Sequence, residues 1–336
     1  MVPYLDIAVA EPSQVGEARR AASRLAIDNG LDETVVGRIA IVVTELGNNL
    51  WRHAASGRLL VGCRRSAAGC RFEILSIDRG AGMADIARCL RDGYSTGGTP
   101  GTGLGAVQRM STDFSAYSAP GKGTVILSRA WVAAPGAVDV PAPRAGVAHA
   151  GLCLAAPGET VSGDAWDMRL DDGKAAVIVA DGLGHGPVAA EAAGEALKAF
   201  ASLRGTPATV LERAHPLMRG TRGAAVTLVE VDPQAGSITY AGAGNISGRV
   251  ISGVGDRSLM SQHGTLGVQI RKLQDVAAPW PEHAVLVLHS DGLLTRWSLQ
   301  DDGALLQCDP AVIAGWLLRD FTRGHDDVTV VVLKRD

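Results

Sequence analysis

Four stretches in the second half of the chain end on or beside an aspartate: Val161-Ser162-Gly163-Asp164, Val179-Ala180-Asp181-Gly182, Ser290-Asp291-Gly292 and His325-Asp326-Asp327. Each borders a run that reads as a strand, so their chemistry depends on how the strands pair. Asp172-Gly173 is a strong type I′ hairpin signal between the strand-like runs 165–170 and 175–180. If those two residues form the turn, Asp171 pairs with Lys174 and the register carries Asp164 to a position opposite Asp181. Downstream, the apolar run 284–289 ends in Ser290-Asp291-Gly292, and Asp326-Asp327 immediately precedes the run 328–333. In antiparallel neighbours the end of one strand adjoins the start of the next. Asp181, Asp291 and Asp326 can therefore converge on one edge.

Gathered carboxylates repel one another, and burial raises their pKa values further. Divalent cations remove that penalty. Hard oxygen ligands select Mg²⁺ or Mn²⁺, and two such ions can activate a water for in-line attack on phosphorus. A single Asp-Gly after a strand is ordinarily a turn; four aspartates with consistent strand placement favour the metal reading. His185, in Asp181-Gly182-Leu183-Gly184-His185-Gly186, is a candidate general acid. Its place in a glycine-rich turn ahead of a helix fits a backbone-orienting role equally well, and His325 has the same standing.

The first half carries a different constellation. Asp32 can cap a helix whose later turns place Glu45, Asn49 and His53 on one face, with Gly57 as a stop signal. That spacing lets a carboxylate accept a proton one turn from an amide that offers its oxygen to Mg²⁺. A polar stripe on a half-buried helix explains the segment equally well. The strand-like run 72–77 enters Asp78-Arg79-Gly80-Ala81-Gly82, where alternating glycines permit close backbone approach to a flat ligand; taken alone, the motif is as often a turn. Gly97-Gly98-Thr99-Pro100-Gly101-Thr102-Gly103-Leu104-Gly105 then runs into a helix-like segment 106–110, and backbone N–H groups at such a junction favour phosphate; taken alone, the stretch also reads as a flexible loop.

The elements around these motifs divide into two sets. Residues 132–146 combine three prolines with small residues and have no periodicity, so a linker is expected there. Before it, 15–29 and 32–55 read as helices and 58–63, 70–77 and 123–131 as strands, an α+β pattern. After it, strand-like runs recur at 165–170, 175–180, 224–231, 237–242, 284–289 and 328–333, with helices at 187–202 and 310–321, as in sheet layers flanked by helices. The 336 residues and 46% hydrophobic content suit two domains. A net charge of −3 supplies no basic surplus for nucleic acid or anionic lipid. No apolar run approaches the roughly 20 residues that span a bilayer, so no membrane role and a cytoplasmic location are expected. Five cysteines without a CxxC pair argue against a disulfide framework or a zinc site.

In order, the N-terminal motifs resemble those of the GHKL ATPase superfamily, in particular the small RsbT- and RsbW-type serine kinases, over residues 5–131. The N-box corresponds to 45–54, the glycine boxes to 78–82 and 101–105, and Pro120-Gly121-Lys122-Gly123-Thr124 to the final Gly-Lys-Gly-Thr. Residues 92–98 and 103–110 look closer to RsbT than to RsbW. The resemblance implies a Bergerat-type α/β sandwich binding ATP and Mg²⁺. Asp78 would bond the adenine amino group, Asn49 would ligate Mg²⁺, and Glu45 would activate the acceptor hydroxyl. Gly80, Gly82, Gly101, Gly103, Gly105 and Thr124 would line the nucleotide site.

Residues 147–336 resemble PPM-type phosphatases of the SpoIIE, RsbU and RsbX group, with an α-β-β-α sandwich, and their compact length is most like RsbX. This resemblance implies that Asp181 bridges two Mn²⁺ or Mg²⁺ ions and that the Gly182 carbonyl faces one of them. Asp291 and Asp326 would complete the site beside Asp327, with Asp164 acting through water. Together the resemblances imply phosphorylation and dephosphorylation of a STAS-domain antagonist in a stressosome or sigma-factor circuit. The alternative expectation is a partner-sequestering ATP-binding module that regulates the attached phosphatase without kinase activity. The oligomeric state has no sequence signal.

Overall fold

The computed structural model describes residues 4–54, 57–66, 68–91, 103–134, 146–171, 173–253, 255–299 and 302–335. The chain divides into two units, Val2–Ala142 and Pro143–Asp336.

The first unit begins with β1 (Leu5–Val9), α1 (Pro12–Asp28) and α2 (Glu33–His53). Proline at the first position and the Gln14 side chain, which accepts from the Glu11 N–H at 3.1 Å, start α1. Asp32 starts α2, its carboxylate accepting from the Val35 N–H at 3.0 Å, as the sequence predicts. The helix ends at His53, and Gly57 opens β2 (Gly57–Ser66) instead of acting as the stop. There follow β3 (Gly69–Asp78), the short α3 (Ile86–Cys89), α4 (Gly103–Met110), β4 (Asp113–Ala119) and β5 (Gly123–Ala133). The strands form an antiparallel sheet in the order β1-β2-β3-β5-β4. Alternation sends Leu59, Val61, Phe72, Ile74 and Ile126 to the face that packs on α1 and α2. This makes a two-layer α/β sandwich. Residues β1 and β4 contribute escaped the sequence reading.

The second unit contains β6 (Val147–Leu154), β7 (Asp164–Asp171), β8 (Lys174–Gly182), α5 (Pro187–Ser202) and α6 (Pro207–Ala214), then a 3₁₀ turn over His215–Met218. After these come β9 (Ala224–Asp232), β10 (Ser237–Ala243), β11 (Ser247–Ile251), β12 (Asp256–Leu259), β13 (Gly264–Thr265), β14 (Gln269–Ile270) and β15 (Val276–Pro279). The unit closes with β16 (Val285–His289), α7 (Gly303–Leu306), α8 (Pro310–Phe321) and β17 (Val328–Arg335). Two five-stranded sheets result, ordered β15-β10-β9-β8-β7 and β12-β11-β16-β17-β6.

Residue alternation sorts the layers. Val177 and Val179 of β8 point between the sheets, where they meet Leu286, Leu288, Val331 and Leu333. Ala176, Ile178 and Ala180 point the other way, onto Ala193, Ala196 and Phe200 of α5. Each fully buried Val or Ile contributes about 1.5–3 kcal/mol. Helix α8 packs against β6 and β17 on the outer face of the second sheet, completing an α-β-β-α sandwich. Among the described residues no helix is long and apolar enough to cross a membrane.

Candidate metal centre and nucleotide site

Hairpin β7–β8 sets the acidic edge. Asp171 pairs with Lys174, Gly173 has φ +78°, and the register runs on to Asp164 opposite Asp181, the pairing expected from the turn. Strands β16 and β17 are antiparallel, with His289 opposite Val330. The exit of β16 at Asp291 therefore lies beside the entry to β17 at Asp326. Gly292 permits this approach, since a Cβ there would lie 1.9 Å from the Asp327 carbonyl oxygen. Gly182 is equally confined: its Cβ would sit 2.1 Å from the Ala189 carbonyl oxygen on α5. Any side chain at either position would push apart the elements that carry the aspartates.

The carboxylates of this edge act on one another. Asp181 is pushed up to about 8, first by burial and then by the charges of Asp164, Asp291, Asp326 and Asp327. Burial likewise raises Asp164, to about 7, against the favourable Ser290 hydroxyl and with Asp327 and Asp291 adding to the rise. Asp291 is raised by burial and by Asp326, while Arg323 and His325 act in the opposite sense. Among the described residues, no three carboxylate, imidazole or thiolate side chains close around a single point. The edge is thus an open acidic rim, in which side-chain oxygens and the adjoining Gly182 carbonyl offer hard donors.

Within this rim the aspartates differ. Asp164 is 1% exposed, and its Oδ2 is buried without a sound hydrogen bond. An orphaned, buried carboxylate oxygen among like charges is costly unless a cation or an ordered water meets it. That observation and the all-oxygen donor set fit Mg²⁺ or Mn²⁺. Asp327 is buried too, but its oxygens accept from the Ala156 N–H at 2.8 Å and the Gly163 N–H at 2.9 Å. It ties down the loop that leads into Asp164. Asp291 Oδ2 accepts from the Asn245 amide at 2.8 Å, a partner not expected from the sequence.

His289, also unexpected, is buried at the end of β16. Its Nδ1 donates to the Ser290 carbonyl at 2.8 Å and its Nε2 accepts from the Trp297 indole at 3.2 Å, which fixes the turn into Asp291. Burial holds this imidazole down to about 4, so it is neutral at pH 7. His185 is 65% exposed, with Nδ1 at 2.6 Å from Glu159 Oε1. Glu159 also lies against Gly186, the residue that opens α5, so the hydrogen bond braces this turn. His325 Nδ1 donates to the Arg323 carbonyl at 3.1 Å.

In the first unit, Glu45 and Asn49 are half-buried one turn apart on α2, with His53 exposed a further turn on. The start of α4 approaches this face, and a Cβ on Gly103 would lie 2.5 Å from Glu45 Oε2. At the other end, a Cβ on Gly80 would lie 2.3 Å from the His53 carbonyl oxygen. The Glu45-Asn49 face is therefore bracketed by the Asp78 loop and the start of α4, with Gly105 inside that helix. Asp78 Oδ1 accepts from the Gly80 N–H at 2.7 Å and the Thr124 N–H at 3.2 Å, which orients the carboxylate. Gly82, at φ +67°, packs on the Ala119 carbonyl oxygen. Gly101, residues 92–98 and most of the expected linker lie outside the described residues.

Fold and sites together define a class: a histidine kinase-like ATPase domain followed by a PPM-type serine phosphatase domain. The family model for the histidine kinase-like ATPase domain matches residues 8–129, and that for Stage II sporulation protein E (SpoIIE) matches residues 171–336. The serine/threonine-protein kinase RsbT of Bacillus subtilis (strain 168) is 30% identical over 115 residues, 34% of this chain and 86% of that protein, and through this unit the chain belongs to the RsbT family. The phosphoserine phosphatase RsbX of the same organism is 26% identical over 140 residues, 40% of this chain and 69% of RsbX. A solved structure from work on the bacterial stressosome as a modular system controlling secondary messenger signalling is 28% identical. It covers 56% of this chain and 99% of its own, with a TM-score of 0.53. A crystal structure of RsbX in complex with magnesium covers 56% of this chain and 96% of its own, at 22% identity and a TM-score of 0.49.

Proposed function

We propose that the chain is a bifunctional partner-switching regulator of the cytoplasm. Its first unit phosphorylates, and its second dephosphorylates, Ser or Thr on a STAS-domain antagonist protein in a stressosome or sigma-factor circuit. The observation that carries the phosphatase half is buried Asp164, with its orphaned Oδ2, paired across the hairpin with half-buried Asp181 and acted on, with it, by Asp291. Asp181, the Gly182 carbonyl, Asp291 and Asp326 would hold the cations, with Asp164 acting through water and Asp327 serving as a tether. Two divalent cations bound there supply charge neutralisation for a phosphoryl group and activate water near neutral pH. His289 and Asn245 keep Asp291 in place, and the Glu159–His185 pair holds the loop between Asp181 and α5.

For the kinase half, Asp78 would accept from an adenine amino group, and the Asn49 amide oxygen would ligate the Mg²⁺ of Mg²⁺·ATP. Glu45 receives the proton of the acceptor hydroxyl. Phosphoryl transfer draws mainly on such positioning and charge neutralisation. The contact of Gly103 with Glu45 supports this reading over a purely sequestering module, because it sets the candidate base against the start of α4, where backbone N–H groups are expected to hold phosphates. The test is incubation with ATP, Mn²⁺ and a STAS-domain protein, following phosphate on that protein. Absence of both transfer and release under every metal condition overturns the proposal. Partner binding without any transfer in wild type overturns the kinase half alone, and transfer unchanged in Glu45→Ala overturns the role of Glu45.

A further inference from the structure

Against the loop that follows Asp181 lies a guanidinium that the metal site does not use. Register places Ala224 of β9 opposite Gly182 and Ala225 opposite Asp181, so the residues just before β9 run alongside the loop that follows the aspartate. The Leu183 N–H donates to the Gly223 carbonyl at 3.0 Å, which joins the two segments. A Cβ on Gly184 would lie 3.2 Å from Arg222 Nη1, so the guanidinium rests on the loop that carries Asp181 and Gly182.

The backbone around Arg222 is fixed in advance. The Thr221 N–H donates to the Met218 carbonyl at 3.0 Å and the Thr221 hydroxyl to the same oxygen at 2.8 Å. The Gly223 N–H donates to the Thr221 hydroxyl oxygen at 3.0 Å. Gly223 has φ +84°, and a Cβ there would meet the Leu266 carbonyl oxygen at 2.6 Å. Arg222 thus leaves a rigid turn, with its own side chain exposed.

Among the described residues this side chain makes no hydrogen bond or ion pair. Arg249 pairs with Asp256, Arg319 with Asp320 and Arg129 with Glu73. The cations that act on Asp291 are Arg323 and His325. Arg222 lies against the loop that follows Asp181, and its guanidinium is not among the charges that act on Asp291. A planar, permanently charged fork held in that position suits a tetrahedral oxyanion, which it can bind through two parallel hydrogen bonds.

We infer that Arg222 is a phosphate-binding residue of the phosphatase site, gripping the non-bridging oxygens of the phosphoryl group from the side of β9 while the acidic rim holds the cations. The inference rests on the phosphatase reading above and adds to it the group that distinguishes phosphoryl substrates from other esters.

The test uses the full chain with Mn²⁺ and two probes, p-nitrophenyl phosphate as substrate and inorganic phosphate as product inhibitor, in wild type, Arg222→Ala and Arg222→Lys. The expected result is a KM for p-nitrophenyl phosphate and an inhibition constant for inorganic phosphate that both rise about tenfold or more in Arg222→Ala. Arg222→Lys, which keeps the charge and loses the fork, is expected to fall between. The Mn²⁺ concentration for half-maximal activity stays as in wild type, a split that a merely structural role would not give. Unchanged KM and phosphate inhibition in Arg222→Ala, with wild type active, overturns the assignment. A wild type inactive on every phosphorylated probe at any Mn²⁺ concentration removes the phosphatase reading, and the assignment with it.

Discussion

Asp164→Asn separates the cost of the acidic rim from its use. The carboxyl is 1% exposed, and burial with the neighbouring charges lifts it from 3.8 to about 7. The folded state therefore keeps a proton that the unfolded chain has released. That contribution to stability is full below pH 3.8 and is lost as pH rises through about 7. At about 1.36 kcal/mol per pH unit, the interval sets a ceiling of about 4 kcal/mol on the destabilisation at pH 8. An asparagine of nearly the same shape carries no charge. Hydrogen exchange of β7 and β8 amides across a urea series, in excess chelator, reads the stability of this unit directly. The variant is expected to be more stable than wild type at pH 8, by up to that ceiling, and indistinguishable from it near pH 3.5. With millimolar Mn²⁺ the order should narrow or reverse, because the cation stabilises wild type by mass action and the variant less. Equal stability of the two proteins at pH 8 in chelator, or a gain independent of pH, would refute the electrostatic account of the rim.

Three further outcomes follow from the same geometry. Gly292→Ala forces a Cβ against the Asp327 carbonyl, and overpacking of this kind costs about 1–3 kcal/mol; loss of Mn²⁺-dependent phosphatase activity with ATP affinity retained is expected from paired hydrolysis and nucleotide-binding assays. Asp78→Asn removes a charged hydrogen-bond acceptor worth about 1.5–3 kcal/mol, so calorimetry should show ATP binding weakened by roughly 10- to 100-fold with phosphatase activity unaltered. His289, held down to about 4, makes the second unit acid-sensitive. The unfolded chain takes up a proton below about pH 6.5 that the folded chain refuses, so stability falls from there toward pH 4, and His289→Gln should flatten that part of the urea-midpoint profile.

Much of the phosphatase edge was legible because one dipeptide fixed it. Read in the sequence as a two-residue turn, Asp172-Gly173 sets a register with Asp164 opposite Asp181, and that is the register in which β7 and β8 pair. Helices α5 and α8 were equally plain, since proline at the first position and continuous apolar faces mark both. Strand β6 was missed because its alternation is blurred by His149, Ala150 and Gly151 directly after a proline-rich stretch. Strands β11 to β15 are too short for any period to register.

At the rim, motif reading could not divide the labour between Asp326 and Asp327. Neighbours entering a strand point to opposite faces, and this alternation is the signal that could have set Asp327 apart as the residue facing the Ala156 and Gly163 amides. Asn245 and Arg222 carry no spacing signal relative to the aspartates. They arrive through the pairing of β9 and the link from Asn245 to Asp291, which only the folded chain brings together. For Arg222 the one local hint is a Thr-Arg-Gly turn ahead of a buried strand.

The most direct test of the acidic rim is Mn²⁺ titration by calorimetry on wild type and Asp181→Asn, in parallel with phosphate release from a phosphorylated STAS-domain protein. Wild type should bind Mn²⁺, more weakly as pH falls because protons compete for the raised carboxylates, and hydrolysis should follow occupancy. Asp181→Asn should lose binding and hydrolysis together. Mn²⁺ uptake and phosphate release that persist at wild-type levels in Asp181→Asn would contradict the account.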